Sequence, residues 1–307
     1  MPDQSIWHSG WVPSTTAELL DLLDLEDLDL DLFRGKQPRT TWQRTFGGQV
    51  LAQALVAGAR TVPERTAHSM HALFLHAGRT DLPMIFDVER IRDGRTFSTR
   101  RVNARQHGRT IFTAELSFKN RENGPEHSDP MPDYLPGPEK CPTLAQALEQ
   151  MFGRSMPTVK EWDALDVRLA GAGSNLVAPN HVTHLSLWVR TTASLPDDRV
   201  VQRAILAYIS DISLMAGAVM PHLGSIPPGM IVNPASLDHA MWFHRPAKAD
   251  EWMLYDQVSP SASGLLGFSM GRLMQDGQLI ASCCQEGVMK LVDANDVDAS
   301  VTFPVGP

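Results

Sequence analysis

Residues 67–78, AHSMHALFLHAG, return in altered form as residues 235–246, ASLDHAMWFHRP. In both, a small residue and a histidine precede an apolar run with aromatics, a second histidine and a Pro or Gly breaker. A self-echo at long separation fixes the architecture before any single motif does, because each copy has to build the same unit. The echo extends beyond this stretch. The separation is 168 residues at His71 and His239, and 169 both at Asp87 and Asp256 and at Gly108 and Gly277. It falls to 159 at Gly58 and Gly217, where the second copy inserts the loop SIPPGMIVNP.

Periodicity gives each copy its elements. Thr15 and Glu18 form a Thr-x-x-Glu capping box that opens a short helix through Leu23. The following LEDLDLDLF alternates Asp and Leu and predicts a half-buried strand with Leu28, Leu30 and Leu32 inward. Gly47-Gly48 then starts a helix rich in small residues, able to lie close to a sheet. Strands are predicted over residues 68–76, 84–92, 96–106 and 110–119, with tight turns at Asp93-Gly94 and His107-Gly108. Residues 120–142 carry six prolines and read as a linker, and residues 143–152 as a short helix. The second copy restates this with strands near 164–169 and 184–191, one helix over 203–220, and strands matching those of the first copy. A helix followed by a curled antiparallel sheet, twice, is an α+β architecture. It divides into a first unit at 14–122, a linker and short helix at 123–160, and a second unit at 161–293. The two sheets are expected to join edge to edge, which hides their edges.

Composition narrows the chemistry. A net charge of −8 argues against non-specific nucleic-acid or anionic-membrane partners. No unbroken apolar run approaches the roughly 20 residues of a membrane-crossing helix, and residues 1–14 show no secretory signal. Three cysteines, two of them adjacent, suggest free thiols in a reducing compartment rather than a disulfide framework. The C-terminal VTFPVGP lacks a peroxisomal signal, so a cytoplasmic protein is expected.

Several motifs are decoys. Gly267-Phe268-Ser269-Met270-Gly271 spells G-x-S-x-G, but strand, turn and strand follow it, and no histidine occurs after His244. His181 with His184, or His239 with His244, lack the further ligands that zinc needs, so no metal and no cofactor is expected. The histidines of the repeat read as structural, since both copies carry them. Arg90, Arg92, Arg95, Arg100, Arg101, Arg105 and Arg109 form either a solvated sheet face or a phosphate site.

Asp211 stands out as a carboxylate in an otherwise apolar helix, with Tyr208 three residues before it and Met215 four after. Burial would raise its basicity toward what water activation needs. Ser236 and Gln285 interrupt apolar strands. The strings FGGQVLAQAL, HSMHALFLHAG, FDVERIRDGRTFSTRRV, QHG, LAYISD, SLDHAMWFHRP and QEG, in this order from about residue 41 to 290, resemble the acyl-CoA thioesterase II family. The resemblance implies a double hotdog fold, two tandem copies of a helix wrapped by a curved antiparallel sheet. It also implies hydrolysis of acyl-CoA to fatty acid and CoA, with catalytic Asp211, Ser236 and Gln285 around one water. Arg95 is the candidate for the CoA phosphates, and Tyr208, Met215 and Trp242 for the acyl chain. The partner expected is acyl-CoA, with self-assembly into a homo-oligomer. Two other readings stay open: a non-catalytic acyl-CoA-binding double hotdog, and a hotdog enoyl-CoA hydratase, which would want a histidine–acid pair in the helix region.

Overall fold

The computed structural model describes residues 8–11, 13–40, 42, 44–153, 162–170, 183–293 and 295. Residues 154–161 and 171–182, His181 among them, and both chain termini lie outside them. The first copy comprises β1 (His8–Trp11), α1 (Thr16–Leu23), β2 (Glu26–Asp29), β3 (Leu32–Gly35), β4 (Gln37–Arg39), α2 (Gly47–Arg60), β5 (Thr66–Phe74), β6 (Met84–Asp93), β7 (Phe97–Gln106) and β8 (Arg109–Lys119). After α3 (Leu144–Phe152), the second copy comprises β9 (Leu165–Ala170), β10 (Thr183–Thr191), α4 (Arg199–Ser210), α5 (Leu214–Val219), β11 (Met230–Ser236), β12 (Asp238–Phe243), β13 (Met253–Ser263), β14 (Leu266–Gln275) and β15 (Gln278–Asp293).

The described strands, apart from β1 and β4, form one 13-stranded sheet in the order β2-β3-β6-β7-β8-β5-β12-β15-β14-β13-β10-β9, with β11 also on β15. The copies join where β5 pairs antiparallel with β12. This is the double hotdog arrangement: one continuous sheet wrapped around helices from both copies. Every residue of α2 from Gly48 to Ala59 is buried. Small residues allow this close approach; a Cβ on Gly58 would stand 3.3 Å from Leu116 and 3.4 Å from Phe118. Buried Gln49 and Gln53 are satisfied, Gln49 on the Gln37 side chain at 2.6 Å and Gln53 on the carbonyls of Leu22 and Lys36, both at 2.9 Å. These bonds tie α2 to the start of the chain.

The turns reproduce the repeat. His107-Gly108 and Asp276-Gly277 both hold left-handed φ values, 48° and 74° against 51° and 76°. That pair of conformations makes a two-residue hairpin whose twist matches its strands. The capping box of α1 is also present, with Thr15 Oγ1 accepting from Glu18 N and Glu18 returning to Thr15 N.

Three expectations change. The Asp-Leu alternation does not make one strand with Leu inward. It folds into the hairpin β2–β3, turning at Leu30-Asp31 with Asp31 at φ 56°, and Leu28 and Leu30 are exposed. Second, the helix predicted over 203–220 starts earlier and breaks into α4 and α5. Asp211 caps α4, and the Ser213 hydroxyl bonds the buried Gln257 side chain at 3.0 Å rather than the helix. Polar side chains that find partners elsewhere release the backbone from the helix. The whole run Arg199–Ser225 is long and apolar enough to cross a membrane, but 72% of its most apolar window is buried inside the fold.

Third, the histidine echo is out of register with the structure. Across the junction His71 pairs with Ala240 and Ala72 with His239. Paired residues share a face, so His71 and His239 face opposite sides. His71 is exposed, while His239 is fully buried. The offset of 169 seen at the turns holds here too, and the counterpart of His239 is Met70, likewise fully buried. The inward histidine therefore belongs to the second copy alone.

Candidate active site

The break between α4 and α5 carries Asp211 to the start of α2. A Cβ on Gly47 would lie 2.6 Å from Asp211 Oδ2, and one on Gly48 would lie 2.5 Å from the carbonyl of Tyr208. Only residues without a side chain allow this approach between helices of different copies. The carboxylate thus sits at the positive end of α2, where the Gly48 backbone amide favours its charged form.

Ser236 ends β11, opposite Gly287 on β15. Gln285, two residues earlier on β15, is almost fully buried. Its amide nitrogen donates to Ser236 Oγ, and its side chain favours the charged form of Asp211. The structure thus brings Asp211, Ser236 and Gln285 together. Behind Gln285 stands His239, with Nδ1 2.8 Å from Gln285 Oε1 and Nε2 2.9 Å from Ser210 Oγ. The Tyr255 hydroxyl donates to the Ser210 carbonyl at 2.6 Å.

Electrostatics follow from the packing. Asp211 lines the cavity, yet the protein around it displaces bulk water, and that desolvation pushes its pKa up to about 7. Hydrogen bonds from Gln285 and Gly48 and the charge of Arg44 pull the other way and are outweighed. Burial pushes His239 down to about 4, which leaves it neutral. Burial also raises Tyr255 well above its usual value and Cys283 to about 12, so neither carries charge beside the site.

Asp211 and Ser236 open on a cavity of about 420 Å³. Apolar side chains dominate its wall, among them Phe74, Leu148, Trp162, Leu187, Met215 and Val219. A mostly apolar hollow with a few convergent polar groups at one place is a common form of ligand site. Among the described residues, no three His, Cys, Asp or Glu side chains group as a metal site.

The proposed substrate contacts fare unevenly. Met215 lines the cavity. Tyr208 is buried one layer back, edge-on to Phe46 with ring centroids 5.0 Å apart. Trp242 points to the outer face and packs edge-on against His71 at 5.2 Å, because successive strand residues alternate faces and Met241 takes the inward position. Arg95 is exposed in the β6–β7 turn and is not part of the cavity wall. Much of the arginine cluster is bound to carboxylates: Arg90 to Asp31, Arg100 to Asp93, Arg101 to Glu89 and Glu115, and Arg105 to Asp87.

The cation on the cavity wall is Arg44, which donates to the Pro234 carbonyl at 2.6 Å and whose charge acts on Asp211. Its only sequence signal is its place three residues before Gly47-Gly48. The helix α3 was likewise expected only as linker structure, but it supplies Leu144, Leu148 and Met151 to the wall. The G-x-S-x-G string lies inside β14, as its context predicted. Its glycines have packing reasons: a Cβ on Gly267 would meet Ala218 at 2.7 Å, and one on Gly271 would meet Tyr255 at 2.5 Å.

Known proteins match the chain along most of its length. Residues 172–288 match the model of the acyl-CoA thioesterase family, and residues 37–119 that of the acyl-CoA thioesterase N-terminal domain. The chain is 38% identical over 285 residues to human acyl-coenzyme A thioesterase 8, covering 88% of each chain. It is 36% identical over 283 residues to acyl-CoA thioesterase 2 of Haemophilus influenzae, covering 89% of this chain and 96% of that one. The solved structure of an acyl-CoA thioesterase II from Mycobacterium marinum superposes with a TM-score of 0.75 at 40% identity, over 89% of this chain and 98% of that one. Motifs, fold and matches along nearly its whole length place the chain in the acyl-CoA thioesterase family.

Proposed function

We propose that the protein hydrolyses acyl-CoA thioesters to free fatty acid and CoA, with one water held by Asp211, Ser236 and Gln285. The observation that carries this reading is the convergence of those three polar groups at an apolar cavity, with the carboxylate pKa raised to about 7. A base near neutrality holds a useful ionised fraction and still accepts a proton readily. Ser236 Oγ and the Gln285 amide fix the water. Asp211 takes its proton as the oxygen attacks the thioester carbonyl carbon. The tetrahedral oxyanion then collapses, the C–S bond breaks, and the CoA sulfur leaves with a proton returned from Asp211. The balance closes with water and thioester alone.

The Gly47 N–H, in the first turn of α2 and on the cavity wall, is our candidate oxyanion donor. The acyl chain occupies the cavity, Met215 included, and Arg44 is a better placed cation than Arg95 for an anionic part of the substrate. The unit at 161–293 carries the three polar side chains, while the unit at 14–122 contributes α2 and Arg44. The same reading puts the protein in the cytoplasm as a homo-oligomer. Exposed Leu73, Trp242 and Met270 on the outer sheet face offer apolar surface for self-assembly.

The test is thiol release from acyl-CoAs of several chain lengths. Release by the wild-type protein and its loss in Asp211→Asn are expected. A wild type without release, or an Asp211→Asn protein of full activity, contradicts the proposal. Water addition to a crotonyl-type substrate would assign the site to the hydratase reading instead, and binding without turnover to the non-catalytic one.

A further inference from the structure

We infer that His239 is a positioning residue whose neutral Nδ1–H tautomer fixes the amide orientation of Gln285. The inference rests on the thioesterase reading above. The Gln285 amide has two orientations that fill the same space, and only one serves the site. Ionised Asp211 can only accept a hydrogen bond, so the amide NH2 has to face Asp211 and Ser236. Gln285 Oε1 then faces His239 Nδ1 at 2.8 Å, and that nitrogen has to carry the proton. A neutral imidazole has one N–H, so Nε2 accepts, and its partner at 2.9 Å is the Ser210 hydroxyl.

The Ser210 hydroxyl has a competing acceptor, the Ala207 carbonyl, also at 2.9 Å. Were it to donate there, the ring proton would move to Nε2, and two lone pairs would oppose each other at Nδ1 and Oε1. Relief would require flipping the amide, which would turn Oε1 toward the Asp211 carboxylate. Tautomer and amide orientation are therefore locked together, from the last turn of α4 through β12 to β15. Burial keeps the ring neutral, as this arrangement requires. The first copy lacks the device: at the offset of 169 its counterparts to His239 and Gln285 are Met70 and Leu116, both fully buried and apolar.

The titratable groups around this chain come from every element packed on it. Arg44, from the segment before α2, acts on Asp211. Asp238, on β12, acts on His239. Tyr255, on β13, and Cys283, on β15, face Ser210 and Asp211.

The experiment compares His239→Met and His239→Asn in steady-state acyl-CoA hydrolysis across pH. Methionine is the residue the fold already accepts at the matching inward position of the first copy. His239→Met should lower kcat by about tenfold or more with KM within about twofold, because ground-state binding by the cavity is untouched. It should also move the acid limb of kcat/KM upward, since Asp211 loses the amide donor that lowers its pKa. His239→Asn, which restores an amide N–H toward Oε1, should recover part of the lost kcat. In a Gln285→Ala background, His239→Met should have no further effect on kcat, whereas an independent role gives additive losses. If His239→Met fails to fold, Ser210→Ala removes the partner of Nε2 and should shift kcat and the acid limb the same way.

Wild-type kcat and an unmoved pH profile in the folded variant, or additivity with Gln285→Ala, overturn the inference. A wild type that releases no thiol overturns the thioesterase reading itself, and the two failures are thereby distinct.

Discussion

Gly47 and Asp211 stand so close that a single Cβ on Gly47 would lie 2.6 Å from the carboxylate oxygen. One belongs to the first copy and the other to the second, so the site exists only because both helices reach it. Gly47→Ala adds an atom with no room beside Asp211 or Phe74, whose ring carbon would be 3.0 Å away. The carboxylate has to move, and displacement of a catalytic group by about 1 Å costs on the order of a hundredfold in rate. Because alanine favours the helix by up to about 1 kcal/mol over glycine, the unfolding midpoint should change little while kcat falls. Full activity in this variant would show that Asp211 is not needed where it stands.

Asp211 also sets the pH dependence. With its pKa near 7, kcat/KM should rise with pH and level off above that value, falling about tenfold per unit well below it. Asp211→Asn should lower kcat by about a hundredfold to ten-thousandfold, the range of a lost general base, and erase this limb. A flat profile for the wild type would contradict the assignment.

The same residue should weaken the fold. A carboxylic acid whose pKa is raised on folding binds its proton more tightly in the native state. Between its ordinary value of 3.8 and about 7, the native state holds more protons than the unfolded chain, so stability falls as pH rises through this window. At about 1.4 kcal/mol per unit the loss reaches on the order of 4 kcal/mol above pH 7. Asp211→Asn should therefore unfold at higher temperature or denaturant than the wild type at pH 8, with the gain shrinking toward pH 4.

His239 acts with the opposite sign. Its pKa falls from 6.5 to about 4, so the unfolded chain binds more protons between these values and stability is lost on acidification. In the wild type the two slopes offset between about pH 4 and 6.5. Asp211→Asn should expose the histidine slope, roughly 3 kcal/mol lost over that interval, and denaturant titrations at pH 4.5 and 6.5 measure it.

Chain-length preference should respond to α3. Leu148 is buried on the cavity wall, and a larger side chain there removes space from the acyl chain. Leu148→Trp should shift the preferred substrate to shorter acyl chains by raising KM for long ones, with kcat for short ones retained. An unchanged chain-length profile would place the acyl chain elsewhere.

Much of this was legible because repeats and turns are local chemistry. The capping box at Thr15 and the turns at Gly108 and Gly277 need particular residues at particular places, and the structure has them there. The broken helix was not legible, since Ser210 and Ser213 have propensities too weak to end a helix alone; their partners, His239 and Gln257, are distant in sequence. Which strand face His239 occupies was hidden by an offset of one residue, and a one-residue slip exchanges faces. The cavity contacts failed for a similar reason. Trp242 and Met241 are neighbours in sequence, and register alone decides that the methionine points inward. Arg44 carried no periodic or motif signal, and only the packing of the two copies brings it to Asp211.

Direct attack by water on the thioester is tested by a single turnover in ¹⁸O-labelled water with enzyme in excess over acyl-CoA. Water held by Asp211, Ser236 and Gln285 places one ¹⁸O in the released fatty acid and none in Asp211. Label found in the Asp211 side chain, with unlabelled fatty acid from the first turnover, would mean that the carboxylate itself attacked the thioester, and would contradict the account.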